Sequence, residues 1–168
     1  MLKGAYPMKM YINGDWLDSE SGAVIEVRNP ATEEVLDTVP AGTSGEVDAA
    51  VTAAVTAFES WRRVTAVERA GLLHEAAAKI RAHCAELARL LTLEEGKPLP
   101  ENEEEIDWAL NTLDYYAELG RHFRGRVPPS PAYGQLSLVL KEPYGVVGCI
   151  VPWNYPVYCW PGSWRLRW

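Results

Sequence analysis

The chain has 168 residues, 48% of them hydrophobic and 23% charged, with a formal net charge of -7. That is long enough to bury a core as one domain. The acidic balance, with no basic stripe, argues against nucleic acid as the main partner, and no apolar run approaches the roughly 20 residues of a membrane span. Met1 to Pro7 lacks the apolar stretch of a secretory signal, and Met8 is an alternative start. Cys84, Cys149 and Cys159 are unevenly placed and suggest no disulfide framework. Reduced thiols and a cytoplasmic location are the expectation.

Residues 8–40 read as β structure. Asn13-Gly14 sits between Tyr11-Ile12 and Asp15-Trp16, a two-residue hairpin signal. Val24 to Val27 and Val35 to Val39 read as further strands, with Asn29-Pro30-Ala31-Thr32 as the turn between them. A small antiparallel meander is expected.

Helices follow. Thr43 and Glu46 have capping-box spacing, and Val47, Val51, Ala54, Val55, Phe58 and Trp61 then recur on one helical face. Thr65 and Glu68 repeat the box. Leu72, Leu73, Ala76, Ile80, Leu87, Leu90 and Leu91 carry an apolar face onward to a stop at Gly96. Glu101, Glu103, Glu104 and Glu105 read as carboxylates complementing the dipole of the next helix, rather than as a metal or docking patch. Ile106, Ala109, Leu110, Leu113 and Tyr116 continue that helix. His74 and His83 lie nine apart and His122 stands alone, so no metal site is expected. Cys84 reads as a structural thiol, since nothing nearby would lower its pKa.

Residues 124–133 are too rich in proline and glycine for regular structure. Gln135 to Lys141 mostly alternates polar and apolar residues, a half-exposed strand of the kind that pairs with partners at an edge. Gly145 to Val151 is an apolar run that ends in Pro152-Trp153-Asn154. It reads as a strand buried on both faces whose carboxyl end opens on a ligand crevice.

Several stretches, in this order, carry a resemblance: Tyr11 to Trp16, Asn29 to Thr32, Phe58 with Trp61, Leu93-Glu94-Glu95-Gly96-Lys97-Pro98-Leu99, Tyr115-Tyr116-Ala117, and Glu142 to Val147 leading to Pro152-Trp153-Asn154-Tyr155-Pro156. Each alone is weak. Together they resemble the N-terminal third of an NAD(P)-dependent aldehyde dehydrogenase. The resemblance implies an α/β fold in incomplete form: a β meander, helices and the first strand of a Rossmann-like sheet. Residues 8–124 would be the N-terminal part of the cofactor-binding domain. Residues 125–143 would be a linker and oligomerisation strand, and 144–157 the first Rossmann-like strand with its Pro-Trp-Asn loop. Ile150, Val151, Pro152 and Trp153 would line an NAD or NADP site. Asn154 would be the amide donor of the oxyanion hole. The implied reaction is oxidation of an aldehyde to a carboxylic acid through a cysteine thiohemiacetal, in a homo-oligomer. From Pro-Trp-Asn alone, Asn154 reads first as a turn-capping amide; the ordered motifs around it reverse that preference.

The family's nucleophilic cysteine and its glutamate base lie far downstream of Asn154. None of Cys84, Cys149 and Cys159 matches the nucleophile's motif, so the chain alone is expected to be inactive. A non-catalytic fragment that pairs with a full-length subunit through residues 135–141 is the alternative. Residues 158–168 hold Trp160, Trp164 and Trp168, and depart from the apolar helix that the family places there. Back-translated and read from the third base of the Tyr158 codon, they permit Leu-Leu-Ala-Trp-Lys-Leu-Ala-Pro-Ala-Leu, the segment the resemblance calls for. An out-of-frame tail on a truncated chain is the expectation. A genuine Trp-Arg surface segment is its rival.

Overall fold

The structure, a computed structural model, describes residues 8–162. The N-terminal signal reading concerns residues outside that range, as does the tail reading from Ser163 onward.

Two β-hairpins open the chain. Strands β1 (Met10–Ile12) and β2 (Asp15–Leu17) pair antiparallel, with Ile12 opposite Asp15. Asn13 and Gly14, at φ 54° and 95°, form the two-residue turn. Two positive φ values in succession give the twist a tight hairpin needs. Strands β3 (Val24–Arg28) and β4 (Val35–Pro40) form the second hairpin, with an irregularity between Val27 and Arg28. In its turn, the Asn29 side chain accepts a hydrogen bond from Ala31 N at 2.9 Å. The expected single meander is corrected, because the hairpins form two separate two-stranded sheets. The connection between them is tied to a helix instead. Glu20 N donates to Glu46 Oε1 at 2.7 Å, and Ser19 lies buried beside the same carboxylate.

Helix α1 (Ser44–Trp61) begins at the expected capping box of Thr43 and Glu46. The backbone N–H groups of Thr43 and Glu20 hold the Glu46 carboxyl below the usual carboxylate range. The apolar face of α1 departs from expectation. Val47, Val51 and Val55 are exposed, and the residue that α1 buries is Glu46. Further along the same face Ala54 and Phe58 are half-buried, and Phe58 and Trp61 share a cleft with Phe123, Pro143 and Val147.

Helix α2 (Ala66–Ala82) starts at the second capping box, where Thr65 N donates to Glu68 at 3.0 Å and Glu68 N to Thr65 Oγ1 at 3.3 Å. The apolar run beyond it is two helices rather than one. His83, at φ -110° and ψ 12°, separates α2 from α3 (Cys84–Glu95). Gly96, at φ 81°, then ends α3 as expected, its N–H bonded to Thr92 O at 3.1 Å. A β-carbon there would also meet Pro30 Cγ at 2.7 Å, so the stop joins α3 to the β3–β4 turn.

Helix α4 (Leu99–Leu119) is the central element. Its Ile106, Leu110, Leu113 and Ala117 pack with Ala70, Leu73 and Ala77 of α2 and Ala88 of α3 into one closed core. Burying each large side chain of this kind contributes roughly 1.5–3 kcal/mol. The short helix α5 (Pro156–Gly162) joins through Val157. It runs through Pro161 and Gly162, which sequence propensity sets against a helix; contacts to α4 override that preference here.

Between α4 and α5 the chain is mostly unpaired. Residues 135–141 make a single bridge, Val139 with Arg126, rather than a ladder. Residues 145–151 make no strand, and Val146, Val147, Cys149 and Ile150 are exposed. The expected strand buried on both faces is therefore corrected. Ladder hydrogen bonds and two-sided burial both require neighbouring elements, and no described residue supplies them to this run.

Candidate active-site loop

The segment carrying Ile150, Val151, Pro152, Trp153 and Asn154 lies at the edge of the helical core. Ile150 is fully exposed, Trp153 is 79% exposed, and Val151 is half-buried. Pro152 and Asn154 are exposed as well. Trp153 borders a cleft of about 630 Å³ shared with Pro30, Leu91, Glu95 and Val157. Of the five, Trp153 alone borders that cleft. The described residues hold no cluster of His, Cys, Asp and Glu fit for a metal ion.

What fixes this loop is a buried ionic cluster. Glu105 lies in the second turn of α4, and its side chain is 0% exposed. Its Oε1 accepts hydrogen bonds from Val157 N at 2.9 Å and Tyr158 N at 3.1 Å, the first free N–H groups of α5. A carboxylate there meets both the unpaired donors and the positive end of the helix. Its Oε2 accepts from Lys97 Nζ. Lys97 follows the Gly96 stop, and its side chain is 13% exposed. It also ion-pairs with Glu95 at 3.0 Å, donates to the backbone carbonyl of Asn154 at 3.1 Å, and lies 4.3 Å from the centre of the Tyr155 ring. Burial alone works to lower the Lys97 pKa. Hydrogen bonds to Glu105 and Glu95, with their charges, outweigh it, and the net shift is upward.

Asn102 supports the same corner. It is fully buried, and its Nδ2 donates to Thr92 Oγ1 at 3.0 Å and to Lys97 O at 3.3 Å. The turn that presents Lys97 is therefore tied to both α3 and α4.

Lys97 and Glu105 were not singled out by sequence. In sequence Glu105 groups with the dipole-complementing carboxylates, yet Glu101 alone of them lies in the first turn of α4. A signal was present. Asn102, Glu105, Ile106, Ala109, Leu110 and Leu113 share one helical face, so Glu105 falls at a core position. A buried carboxylate demands a partner, and Lys97 is the cation nearest before it in sequence.

His74, His83 and Cys84 sit in structural surroundings. His74 bridges Asp114 Oδ1 at 2.7 Å and Glu118 Oε1 at 2.8 Å, linking α2 to α4. His83 faces Glu86 at 3.4 Å. Burial, with help from Glu103 and Asp107, pushes the Cys84 thiol up, opposite to what a nucleophile needs.

Comparison with known proteins bears out the resemblance. The family model described as "Aldehyde dehydrogenase family" matches residues 16–165. The NADP(+) succinate-semialdehyde dehydrogenase of Escherichia coli is 41% identical over 145 residues, covering 86% of this chain and 30% of that protein. The NADP(+) D-glyceraldehyde dehydrogenase of Picrophilus torridus is 40% identical, covering 89% and 30%. Among solved structures, Staphylococcus aureus betaine aldehyde dehydrogenase in complex with NAD+ superposes with a TM-score of 0.90 at 37% identity, over 98% of this chain and 33% of that one. The chain belongs to the aldehyde dehydrogenase family. It spans about a third of the length of these relatives. No helix among the described residues is long and apolar enough to cross a membrane.

Proposed function

We propose that this chain forms one side of the active site of an NAD(P)-dependent aldehyde dehydrogenase, with Asn154 as oxyanion donor and Ile150, Val151, Pro152 and Trp153 as part of the cofactor wall. The observation that carries this reading is the loop itself. Ile150 and Trp153 are exposed, Trp153 borders a cleft, and an amide follows them on a backbone tied to Lys97. The exposed faces of Ile150 and Trp153 suit an aromatic ring. NAD or NADP, when bound, takes up the hydride that leaves the substrate carbon. The role of Asn154 is to donate its side-chain N–H to the oxygen that becomes an oxyanion when a thiolate attacks the aldehyde. An amide suits the task because it donates without ionising. The relatives named for semialdehydes and NADP(+) favour such a substrate and cofactor.

By this reading the 168-residue chain does not turn over aldehydes alone, because none of Cys84, Cys149 and Cys159 matches the motif of the family's nucleophile. The test is a chimera joining residues 8–157 to the complementary two-thirds of the E. coli relative. It should oxidise succinate semialdehyde, and Asn154→Ala should lower kcat by roughly 10²–10³-fold. Unchanged kcat in the variant would refute the role of Asn154. Thiol-dependent turnover by the 168-residue chain would refute its predicted inactivity.

A second reading is a non-catalytic fragment that pairs with a full-length subunit through residues 135–141. The exposure of Leu136, Leu138 and Leu140 on a segment with a single bridge favours it. Mixed oligomers on adding the chain to a full-length relative are its expected result. For residues 158–168 we retain the out-of-frame reading. Sequencing the coding DNA tests it, and triplets incompatible with Leu-Leu-Ala-Trp-Lys would sink it.

A further inference from the structure

We infer that Lys97 and Glu105 are positioning residues for Asn154. The inference rests on the proposed role of Asn154 as oxyanion donor and adds the device that holds that donor in place. An oxyanion donor works only if the backbone beneath it is fixed before the reaction, since reorganisation at the moment of charge development forfeits its benefit. Among the described residues, 145–151 form no strand, and Ile150 and Trp153 are exposed. Restraint comes from the other side of the chain. The ammonium of Lys97 holds the Asn154 carbonyl at 3.1 Å and lies under the Tyr155 ring. The carboxylate of Glu105 holds the next two free backbone N–H groups, those of Val157 and Tyr158. The two anchors are themselves paired with each other.

Asn154 is thus clamped on its own carbonyl and again three residues later, by groups from the α3–α4 turn and from α4. Both clamps are charge-assisted, the stronger kind of hydrogen bond. Neither touches the Asn154 side chain, so neither is a catalytic residue. Lys97 has three N–H donors and three oxygens around it, those of Glu95, Glu105 and Asn154. An uncharged replacement would leave the Asn154 carbonyl without this donor while the carboxylates remained buried.

The test is amide-resolved NMR and hydrogen exchange on the 168-residue chain, comparing the parent with Lys97→Met, Lys97→Arg and Glu105→Gln. In Lys97→Met, the Asn154 side-chain and Tyr155 backbone signals should shift. Exchange at Val157, Tyr158 and Cys159 should quicken by about tenfold or more, with Ala77 and Leu110 unchanged as reporters of an intact core. Lys97→Arg should recover most of that protection, because it restores the cation. Glu105→Gln should quicken the α5 amides and shift Asn154 by releasing Lys97. Unchanged Asn154 and α5 signals in Lys97→Met would overturn the inference. So would an arginine variant that behaves like methionine, or a loss of protection spread equally through Ala77 and Leu110. The readout needs no chemistry. Loosening of the loop together with a silent Asn154→Ala chimera would refute the oxyanion role and leave the anchoring intact; the converse result would do the opposite.

Discussion

Replacing Glu105 with alanine removes a fully buried carboxylate that three donors use at once: Lys97 Nζ, Val157 N and Tyr158 N. The largest loss is electrostatic. Lys97 stays 13% exposed and keeps Glu95, but loses the partner buried deepest. Breaking a buried pair from one side typically costs about 3–5 kcal/mol, because the charge left behind has lost both water and partner. The two α5 amides lose their shared acceptor as well. We expect about 3–5 kcal/mol in total, a large share of the roughly 5–15 kcal/mol that stabilises a typical domain. Glu105→Gln keeps a neutral acceptor for the amides and should lose less, about 1.5–3 kcal/mol. Urea denaturation of the 168-residue chain, followed by helical circular dichroism, measures both. A double-mutant cycle with Lys97→Met should show a coupling of about 0.5–3 kcal/mol. A loss below about 1 kcal/mol for the alanine variant, well under the range for a broken buried pair, would refute the reasoning. Additive single losses would do so too.

Two further perturbations probe the frame around this cluster. Gly96→Ala places a side chain at φ 81° and drives it against Pro30. It should destabilise by about 1–2 kcal/mol from the backbone alone and lower the melting temperature by several degrees; an unchanged melt would contradict the turn geometry. His74 is held above its ordinary pKa by hydrogen bonds to Glu118 and then Asp114, and Glu118 is held low by the same contact. Because the folded histidine binds its proton more tightly than the unfolded one, its contribution is whole below the free value of 6.5 and fades as pH rises through the raised folded value. The urea midpoint should therefore fall over that window, and His74→Gln should flatten the fall; an equal slope in the variant would show that other groups carry it.

Local chemistry was the legible part of this chain. Asn13-Gly14, the two capping boxes and the Gly96 stop each specify geometry within a few residues, and each appears where its spacing placed it. The features that were not legible depend on partners distant in sequence. A helical break at His83 has no proline or glycine to announce it, and the apolar pattern runs on across it. The separation of the two hairpins depends on Glu46 reaching back to Glu20, a contact between residues 26 apart. Apolar spacing on α1 and on residues 145–151 marks surfaces suited to burial, yet spacing says nothing of what covers them. Of the candidate site, the loop residues were identified by motif, while the anchors were not. Lys97 lies in the Glu94-Glu95-Gly96-Lys97-Pro98 stretch and Glu105 in a run of acids, and only the fold brings them to Asn154.

The distribution of order across the molecule bears on how the loop is built. The closed core belongs to α2, α3 and α4, with Val157 of α5 packed against it. The open apolar surface lies elsewhere, on α1, on residues 136–140 and on the run from Val146 to Ile150. In an α/β site the strand leading into a loop is usually credited with placing it. Here residues 145–151 form no strand among the described residues, yet the residue after the loop, Tyr155, lies against Lys97, and the next helix starts on Glu105. The loop is therefore positioned from its carboxyl side, by a helical unit complete within the described residues. Pairing of residues 145–151 with further strands would cover Ile150 and shape the wall. The α3–α4 corner holds the backbone of Asn154 from the opposite side, through Lys97.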